Sequence, residues 1–188
     1  GPSCAGKWFI EPGGKKVDGV DYTQPDFRSL WRELSLRTRK PAAGGRSGDD
    51  PWRDRAARFA ASAKRRRGGE RNILTDALVD MVQPTDTLVD IGAGIGRWAI
   101  PLARVVQSVT ALEPSPAMLT ILEKNAAART NITIVPGAWE DAEVGPHDVA
   151  LCSHSMYSSP DLAAFVSKME RVARRLCALV LRVPTSDG

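Results

Sequence analysis

Residues able to bind a charged ligand gather at the end of a short apolar run, in residues 88–96. Asp90 stands two residues before the glycine turn 92–96, and such turns let a ligand press against the backbone. The dinucleotide pattern G-x-G-x-x-G requires Gly or Ala at its sixth position, where this sequence has Arg97. A carboxylate at Asp90 would repel a pyrophosphate and attract an ammonium group. These residues therefore predict a ligand with a cationic end and no phosphate.

Two further groups of residues follow the next two apolar runs. Glu113 ends the second run, and its carboxylate can accept hydrogen bonds from both hydroxyls of a ribose. The third run leads into residues 137–141, where Trp139 offers an aromatic face and Glu140 a polar group for a planar base. Parallel strands place their carboxyl ends at one sheet edge, where ligands bind. An amino-acid end, a ribose and a base laid across three strand ends match S-adenosylmethionine.

The elements that must position these residues alternate from about residue 70 onward, which is typical of an α/β fold with a parallel sheet. The strands are predicted at residues 87–91, 108–113, 131–137, 148–155 and 177–183. The helices are predicted at residues 71–82, 96–106, 116–128 and 160–175. Residues 70–188 are therefore predicted to form a Rossmann-like, doubly wound, mostly parallel sheet.

Residues 1–69 are predicted to form a separate cap. Residues 7–20 could form a hairpin. Residues 25–38 space Phe27, Leu30, Trp31 and Leu34 as one apolar face of a helix, and Asp50-Pro51 opens a second helix carrying Trp52 and Phe59. These two helices are expected to lie over the binding site, although ordinary packing against the sheet would give the same pattern. The face of the helix at 71–82 is predicted to comprise Ile73, Leu74, Ala77, Leu78 and Met81.

Four segments of this sequence resemble the class I S-adenosylmethionine-dependent methyltransferases. They are VDIGAGIGRWAIPLA, VTALEPSPAML, VPGAWED and DVALCSHSMYSSPDLAAFVSKMERVAR. The resemblance covers roughly residues 71–183 and implies that S-adenosylmethionine is bound and S-adenosylhomocysteine released. The cofactor-binding residues that it implies are Asp90, Gly92, Ala93, Gly94, Glu113, Pro114, Ala138, Trp139, Glu140 and Ser153. Ala138 departs from the family, where many members have an acidic residue, so Glu140 or Asp141 would make that adenine contact.

The methyl acceptor is expected to be a small molecule. The fourth strand leads into Ser153-His154-Ser155-Met156-Tyr157, which lacks the Asn/Asp-Pro-Pro-Tyr signature of amino-group methylases. His154 is the candidate base, because an unperturbed imidazole has a pKa near neutrality, although it could instead only hydrogen-bond the neighbouring loop. Tyr157 is expected either to orient the acceptor or to pack on the cofactor. An RNA acceptor is the second hypothesis, since residues 37–40 and 64–67 form basic runs. A cofactor-binding subunit of a larger assembly is the third.

Composition gives only broad limits. The net charge of +4 is too small to indicate a partner, and no apolar run is long enough to span a membrane. Three cysteines without a CxxC pair indicate neither a disulfide framework nor a metal site and favour the reducing cytoplasm. Family members usually have seven strands and this sequence predicts five. Either the given sequence is a truncated piece of a longer protein, or the outer edge of the fifth strand is covered by the hairpin at 7–20, by a second copy or by a partner subunit.

Overall fold

The computed structural model describes residues 26–38, 50–66 and 73–181. Six helices, one short 3₁₀ turn and five strands occur in these ranges. In chain order they are α1 (Phe27–Thr38), α2 (Ala56–Arg66), α3 (Ile73–Met81), β1 (Thr87–Ile91), α4 (Ala99–Leu102), β2 (Ser108–Glu113), α5 (Pro116–Ala126), β3 (Ile132–Pro136), β4 (His147–Ser153), the 3₁₀ turn (Ser155–Ser158), α6 (Leu162–Val172) and β5 (Ala173–Val180).

The five strands form one sheet in the order β3-β2-β1-β4-β5, and every neighbouring pair is parallel. The chain moves outward from β1 through β2 to β3, then returns to the other side of β1 for β4. The carboxyl ends of β1 and β4 therefore flank the point where the strand order reverses, which is where doubly wound sheets bind ligands. The structure confirms the predicted α/β class and the parallel sheet.

Two apolar cores cover the two faces of the sheet. On one face Leu88 and Leu151 pack with Leu78 of α3, Leu102 of α4 and Leu122 of α5. The other face is covered by α6 and the 3₁₀ turn, whose packing residues are Met156, Phe165 and Met169. Because side chains alternate across a strand, the apolar residues of β1 and β4 supply both cores.

The helix after the glycine turn is shorter than predicted. Regular α-helix is confined to Ala99–Leu102, whereas the sequence predicted residues 96–106. Gly96 has φ of +84°, which is incompatible with a right-handed helix. Pro101 also lacks the amide that would bond to the carbonyl of residue 97.

The junction between α6 and β5 also differs from the prediction. The helix ends at Val172, and the strand begins at Ala173 instead of residue 177. Arg174 pairs with Asp148 at 3.5 Å, and Arg175 pairs with the buried Asp86. Two arginines at the end of an apolar helical pattern predict an exposed last turn, but their partners, Asp148 of β4 and Asp86 just before β1, hold them in a strand.

Two predicted helix faces pack only in part. On α3, Leu78 is buried and Leu74 packs beside it, while Ile73 is 82% exposed. On α1, Trp31 packs against the apolar core that α6 covers, but Phe27 is 68% exposed. Each helix touches its neighbours along a narrower strip than its apolar spacing predicted.

The predicted hairpin at 7–20 and the basic residues Arg39, Lys40 and Arg67 lie outside the described residues. Among the residues described, β5 is an outermost strand of the sheet. None of the described helices has the length and apolar character needed to cross a bilayer.

Candidate functional site

A cavity of about 1280 Å³ opens at the carboxyl ends of β1, β2 and β4. Its wall contains every residue predicted for the site except Asp90 and Asp141, the alternative to Glu140. Those residues are Gly92, Ala93, Gly94, Glu113, Pro114, Ala138, Trp139, Glu140, Ser153, His154 and Tyr157. Residues from four strand ends, separated by up to 65 positions in sequence, thus meet around one space.

The amides of the glycine turn point inward, toward the end of β2. Gly92 and Ala93 both donate to the carbonyl of Leu112, at 2.8 and 2.9 Å. Gly94 donates to Oε2 of Glu113 at 2.7 Å. Phosphate-binding turns aim successive amides at the ligand, whereas these three are engaged within the protein. The turn is therefore poorly suited to a phosphate.

The three glycines of the turn meet different surroundings. A Cβ on Gly92 would lie 2.3 Å from Cβ of Ser155, and one on Gly96 would lie 2.7 Å from Cδ1 of Ile100. A Cβ on Gly94 would meet no atom within 4 Å, although the φ of +58° there still favours glycine. Gly92 and Gly96 therefore serve protein packing, and Gly94 is the glycine that faces open space beside the cavity.

Asp90 lies behind the glycine turn instead of in the cavity wall. It is 1% exposed, and its Oδ2 accepts a hydrogen bond from the amide of Ala99 at 3.0 Å. Burial, opposed by that bond and reinforced by the charge of Glu113, raises the pKa of Asp90 to about 7. The carboxyl therefore fixes the start of α4.

Glu113 stands at the tip of β2 with both carboxylate oxygens engaged. Oε2 accepts from Gly94 and Oε1 accepts from the amide of Ser115 at 2.8 Å. A carboxylate has about four acceptor positions, so two remain for ligand hydroxyls. Burial raises the pKa of Glu113, and the nearby charge of Asp50 adds to that rise, while the two amides oppose it.

The loop after β3 is fastened to α6 by one lysine. Nζ of Lys168 donates to the carbonyls of Trp139 and Ala142, at 2.5 and 2.6 Å, and lies 4.7 Å from the centre of the Trp139 ring. The indole of Trp139 donates to the carbonyl of Phe165 at 3.2 Å and is 3% exposed. Trp139 is thus both a core residue and part of the cavity wall.

The fourth strand end turns sharply into the cavity. The predicted strand ran to residue 155, but His154 adopts φ of +62° and ends β4 at Ser153. The His154 ring stacks on Tyr157 with a centroid distance of 5.9 Å, and Tyr157 lies 6.1 Å from Trp31 of α1. The hydroxyl of Ser155 donates to the carbonyl of Ile91 at 2.6 Å, which fixes this turn to β1.

Cys152 and metal-binding groups add no chemistry to this site. Burial raises the pKa of the Cys152 thiol to about 11, so the thiol stays protonated. Within the described parts of the chain, no group of three or more His, Cys, Asp or Glu side chains could hold a metal ion.

Several residues of the site were not predicted from the sequence. Lys168 resembles an ordinary surface residue of an amphipathic helix, and nothing in its spacing indicates the three carbonyls around it. Asp50 was predicted to open the second helix. Its side chain also bonds Ser115 and Ala117 at the start of α5, and regular helix begins only at Ala56. The aromatic pattern did single out Trp52 and Phe59, and both line the cavity.

Comparisons with known proteins bear on the same region. Residues 88–175 match the family model described as "Methyltransferase domain". The protein named "Probable ribosomal RNA small subunit methyltransferase A" of Methanosarcina mazei is 41% identical over 56 residues, which are 30% of this chain and 21% of that protein. The chain thus spans about a fifth of the length of this curated relative.

Solved structures share the fold. A candidate S-adenosylmethionine-dependent methyltransferase of Methanococcus maripaludis superimposes with a TM-score of 0.59 at 22% identity, over 71% of this chain and 63% of that one. A candidate methyltransferase of Bacillus halodurans gives 0.52 at 18% identity, over 62% and 53% of the two chains. Residues 88–175 thus match a methyltransferase domain, and the strand order and the solved structures show that the chain has the Rossmann-like fold of S-adenosylmethionine-dependent methyltransferases.

Proposed function

We propose that this chain binds S-adenosylmethionine in the cavity above β1, β2 and β4 and transfers its methyl group to a small-molecule acceptor. The observation that carries the proposal is the inward orientation of three consecutive amides, at Gly92, Ala93 and Gly94. A fold that binds a nucleotide or dinucleotide instead needs these amides to point at the ligand, where they bind phosphate. A glycine turn whose amides are engaged within the protein suits a nucleoside whose other end is an amino acid.

The surroundings of Gly94 and Glu113 fit this cofactor. Open space at Gly94 lets the methionine end approach the backbone, because no Cβ fills it. Glu113 keeps acceptor positions for the two ribose hydroxyls. Ala138, Trp139 and Glu140 would flank the adenine, and Pro114 and Ser153 would complete the wall. Asp90 would contribute by holding the turn and α4 in place.

The bound cofactor supplies an electrophilic methyl group on a sulfonium, which is already an excellent leaving group. The protein therefore has to align the acceptor and exclude water. His154 would accept a proton from an acceptor that carries one, since an imidazole is half-protonated near neutral pH. Tyr157, stacked on His154, would orient the acceptor.

Two observations support a small acceptor. The cavity volume of about 1280 Å³ exceeds the roughly 300–1,000 Å³ typical of sites for one small ligand. It therefore has room for a cofactor and a compact acceptor together. The turn after β4 reads Ser153-His154-Ser155 and lacks the signature of amino-group methylases. We also place the protein in the cytoplasm, a proposal supported by a sequence with three cysteines and no CxxC pair.

An RNA acceptor is the second candidate. It is favoured by the local identity to a protein named as a ribosomal RNA methyltransferase and by the basic runs at residues 37–40 and 64–67. Phosphate contacts by these runs would make binding strongly salt-dependent. Retention of total RNA on the immobilised chain at about 50 mM salt, lost at about 200 mM, would support this candidate.

The two candidates are separated by measuring release of S-adenosylhomocysteine. Purified chain and S-adenosylmethionine are incubated with either the low-mass fraction or the RNA fraction of one cell extract. We expect release with the low-mass fraction, and about tenfold or greater loss of that release in His154→Ala, because general-base catalysis typically contributes at least this much. Release with RNA alone would overturn the small-molecule proposal while leaving the methyltransferase proposal intact.

A further inference from the structure

Asp50 joins the segment before α2 to the first turn of α5. Its Oδ1 accepts a hydrogen bond from the amide of Trp52 at 2.9 Å. Its Oδ2 accepts from the hydroxyl of Ser115 at 2.9 Å and from the amide of Ala117 at 3.0 Å. A single carboxylate therefore connects two parts of the chain that are 65 residues apart.

On the α5 side, a single residue, Ser115, connects Asp50 to Glu113, the proposed ribose-binding residue. The amide of Ser115 donates to Oε1 of Glu113 at 2.8 Å, and its hydroxyl donates to Asp50. The same hydroxyl accepts from the amide of Met118 at 3.1 Å, so it also caps α5. Ser115 is thus bonded to two carboxylates, and it is only 4% exposed.

On the α2 side, Asp50 fixes part of the cavity wall. Trp52 and Phe59 both line the cavity and meet edge to face with a centroid distance of 5.4 Å. Behind them the buried Ala56 packs with Met118 of α5. The placement of this aromatic pair therefore depends on the same hydrogen bonds that hold the first turn of α5.

We infer that Asp50 is a positioning residue that couples cofactor binding at Glu113 to the placement of the Trp52–Phe59 pair over the cavity. The inference rests on the proposed function. Because coupling between two sites is reciprocal, cofactor binding should tighten the contact of α2 with α5. Loss of the contact should in turn weaken cofactor binding, although Asp50 itself is outside the cavity wall.

Asp50→Asn tests this coupling, because the side-chain NH₂ of asparagine cannot accept a hydrogen bond. The bonds that Asp50 accepts either from Trp52 or from the start of α5 must therefore be lost. Asp54→Asn is the matched control, since Asp54 is exposed, lies in the same turn and carries the same charge. Calorimetric titration with S-adenosylhomocysteine should show binding about five- to tenfold weaker in Asp50→Asn, at the lower end of typical coupling. Asp54→Asn should match the wild type.

Hydrogen exchange gives a readout that a merely structural role would not move. S-adenosylhomocysteine should slow exchange of amides in residues 52–62 in the wild type and in Asp54→Asn, but not in Asp50→Asn. If Asp50→Asn does not fold, Ser115→Ala decides, because it removes the hydroxyl between the two carboxylates. Ser115→Ala should weaken binding about threefold or more.

The outcomes separate this inference from the proposed function. A wild-type chain that does not bind S-adenosylhomocysteine would overturn both. A wild type that binds, with equal affinity in Asp50→Asn or in the deciding Ser115→Ala, would overturn the coupling alone. Protection of residues 52–62 in Asp50→Asn equal to that in the wild type would also overturn it.

Discussion

Single residues of the glycine turn have separable roles in binding and in packing. Gly94 combines a φ of +58° with open space where a Cβ would lie, whereas Gly96 is enclosed by Ile100 and Leu122. The same Gly→Ala change should therefore damage different properties at the two positions. A comparison of the two variants distinguishes a ligand-facing glycine from a packing glycine.

Gly94→Ala should weaken S-adenosylhomocysteine binding at least tenfold, because the new methyl group stands where the ligand would approach. Its free energy of unfolding should fall by only about 1–2 kcal/mol, the usual cost of a left-handed non-glycine residue. Gly96→Ala should cost about 1–3 kcal/mol more, because overpacking adds to the backbone strain. Urea unfolding and calorimetric titration of both variants provide the measurements. Unchanged affinity in Gly94→Ala would contradict the assigned role.

Asp90 should make stability depend on pH between about 4 and 7. Its pKa is raised to about 7 in the folded protein. The folded state therefore keeps a proton that the unfolded chain releases above about pH 4. The associated stabilisation is complete below that pH and is lost as the pH rises toward 7, by about 4 kcal/mol at most.

Asp90→Asn stays neutral, so its stability should fall less than that of the wild type over this range. Urea unfolding at several pH values between 4 and 7.5 measures the difference between the two proteins. Asp80→Asn, on the exposed side of α3, serves as the control and should follow the wild-type curve. Parallel curves for Asp90→Asn and the wild type would contradict the raised pKa.

At the scale of elements, the loop after β3 depends on α6 for its position. Lys168 of α6 donates to two carbonyls of that loop at 2.5 and 2.6 Å, and the Trp139 indole donates to Phe165 of the same helix. The loop that would flank the adenine is therefore held in place by α6, which follows β4 in the chain. Loss of this lysine should loosen the loop before it affects the sheet.

Lys168→Met should lower the free energy of unfolding by about 1–3 kcal/mol, because it removes charged hydrogen bonds to partly buried carbonyls. Binding of S-adenosylhomocysteine should weaken several-fold through the displaced loop. Lys124→Met is the control, since Lys124 is exposed on α5. Equal stability and affinity in the two variants would show that the lysine does not hold the loop.

The order and type of the core elements were predictable from the sequence because they follow from local patterns. The apolar runs gave all five strands, and Ser115-Pro116 gave the start of α5, where the serine hydroxyl accepts from Met118. The start of β5 was not predictable, because Arg174 and Arg175 find their carboxylate partners across the sheet. The bond from the Ala99 amide to Asp90 was not predictable either, because the position of Asp90 in the sequence does not reveal it; contact of Asp90 with the ligand stays a prediction.

At the scale of the whole molecule, β5 has a neighbour only on its β4 side among the described residues. The residues from Leu176 to Val180 are half-buried, and unpaired strand edges are usually protected. We expect a second copy, a partner subunit or another segment of the chain to cover this edge. Amides of β5 should then exchange slowly, and light scattering should distinguish a dimer from a monomer. A monomer with fast exchange throughout β5 would contradict this expectation.

Binding of the cofactor product at the tip of β2 is the central claim for the whole molecule, and calorimetric titration of S-adenosylhomocysteine tests it most directly. The wild type should bind with micromolar affinity. Glu113→Gln should bind at least tenfold more weakly, because it loses charged hydrogen bonds to the ribose. Glu123→Gln, on the exposed face of α5, should bind like the wild type. Absence of binding in the wild type, or equal affinity in Glu113→Gln, would contradict the account.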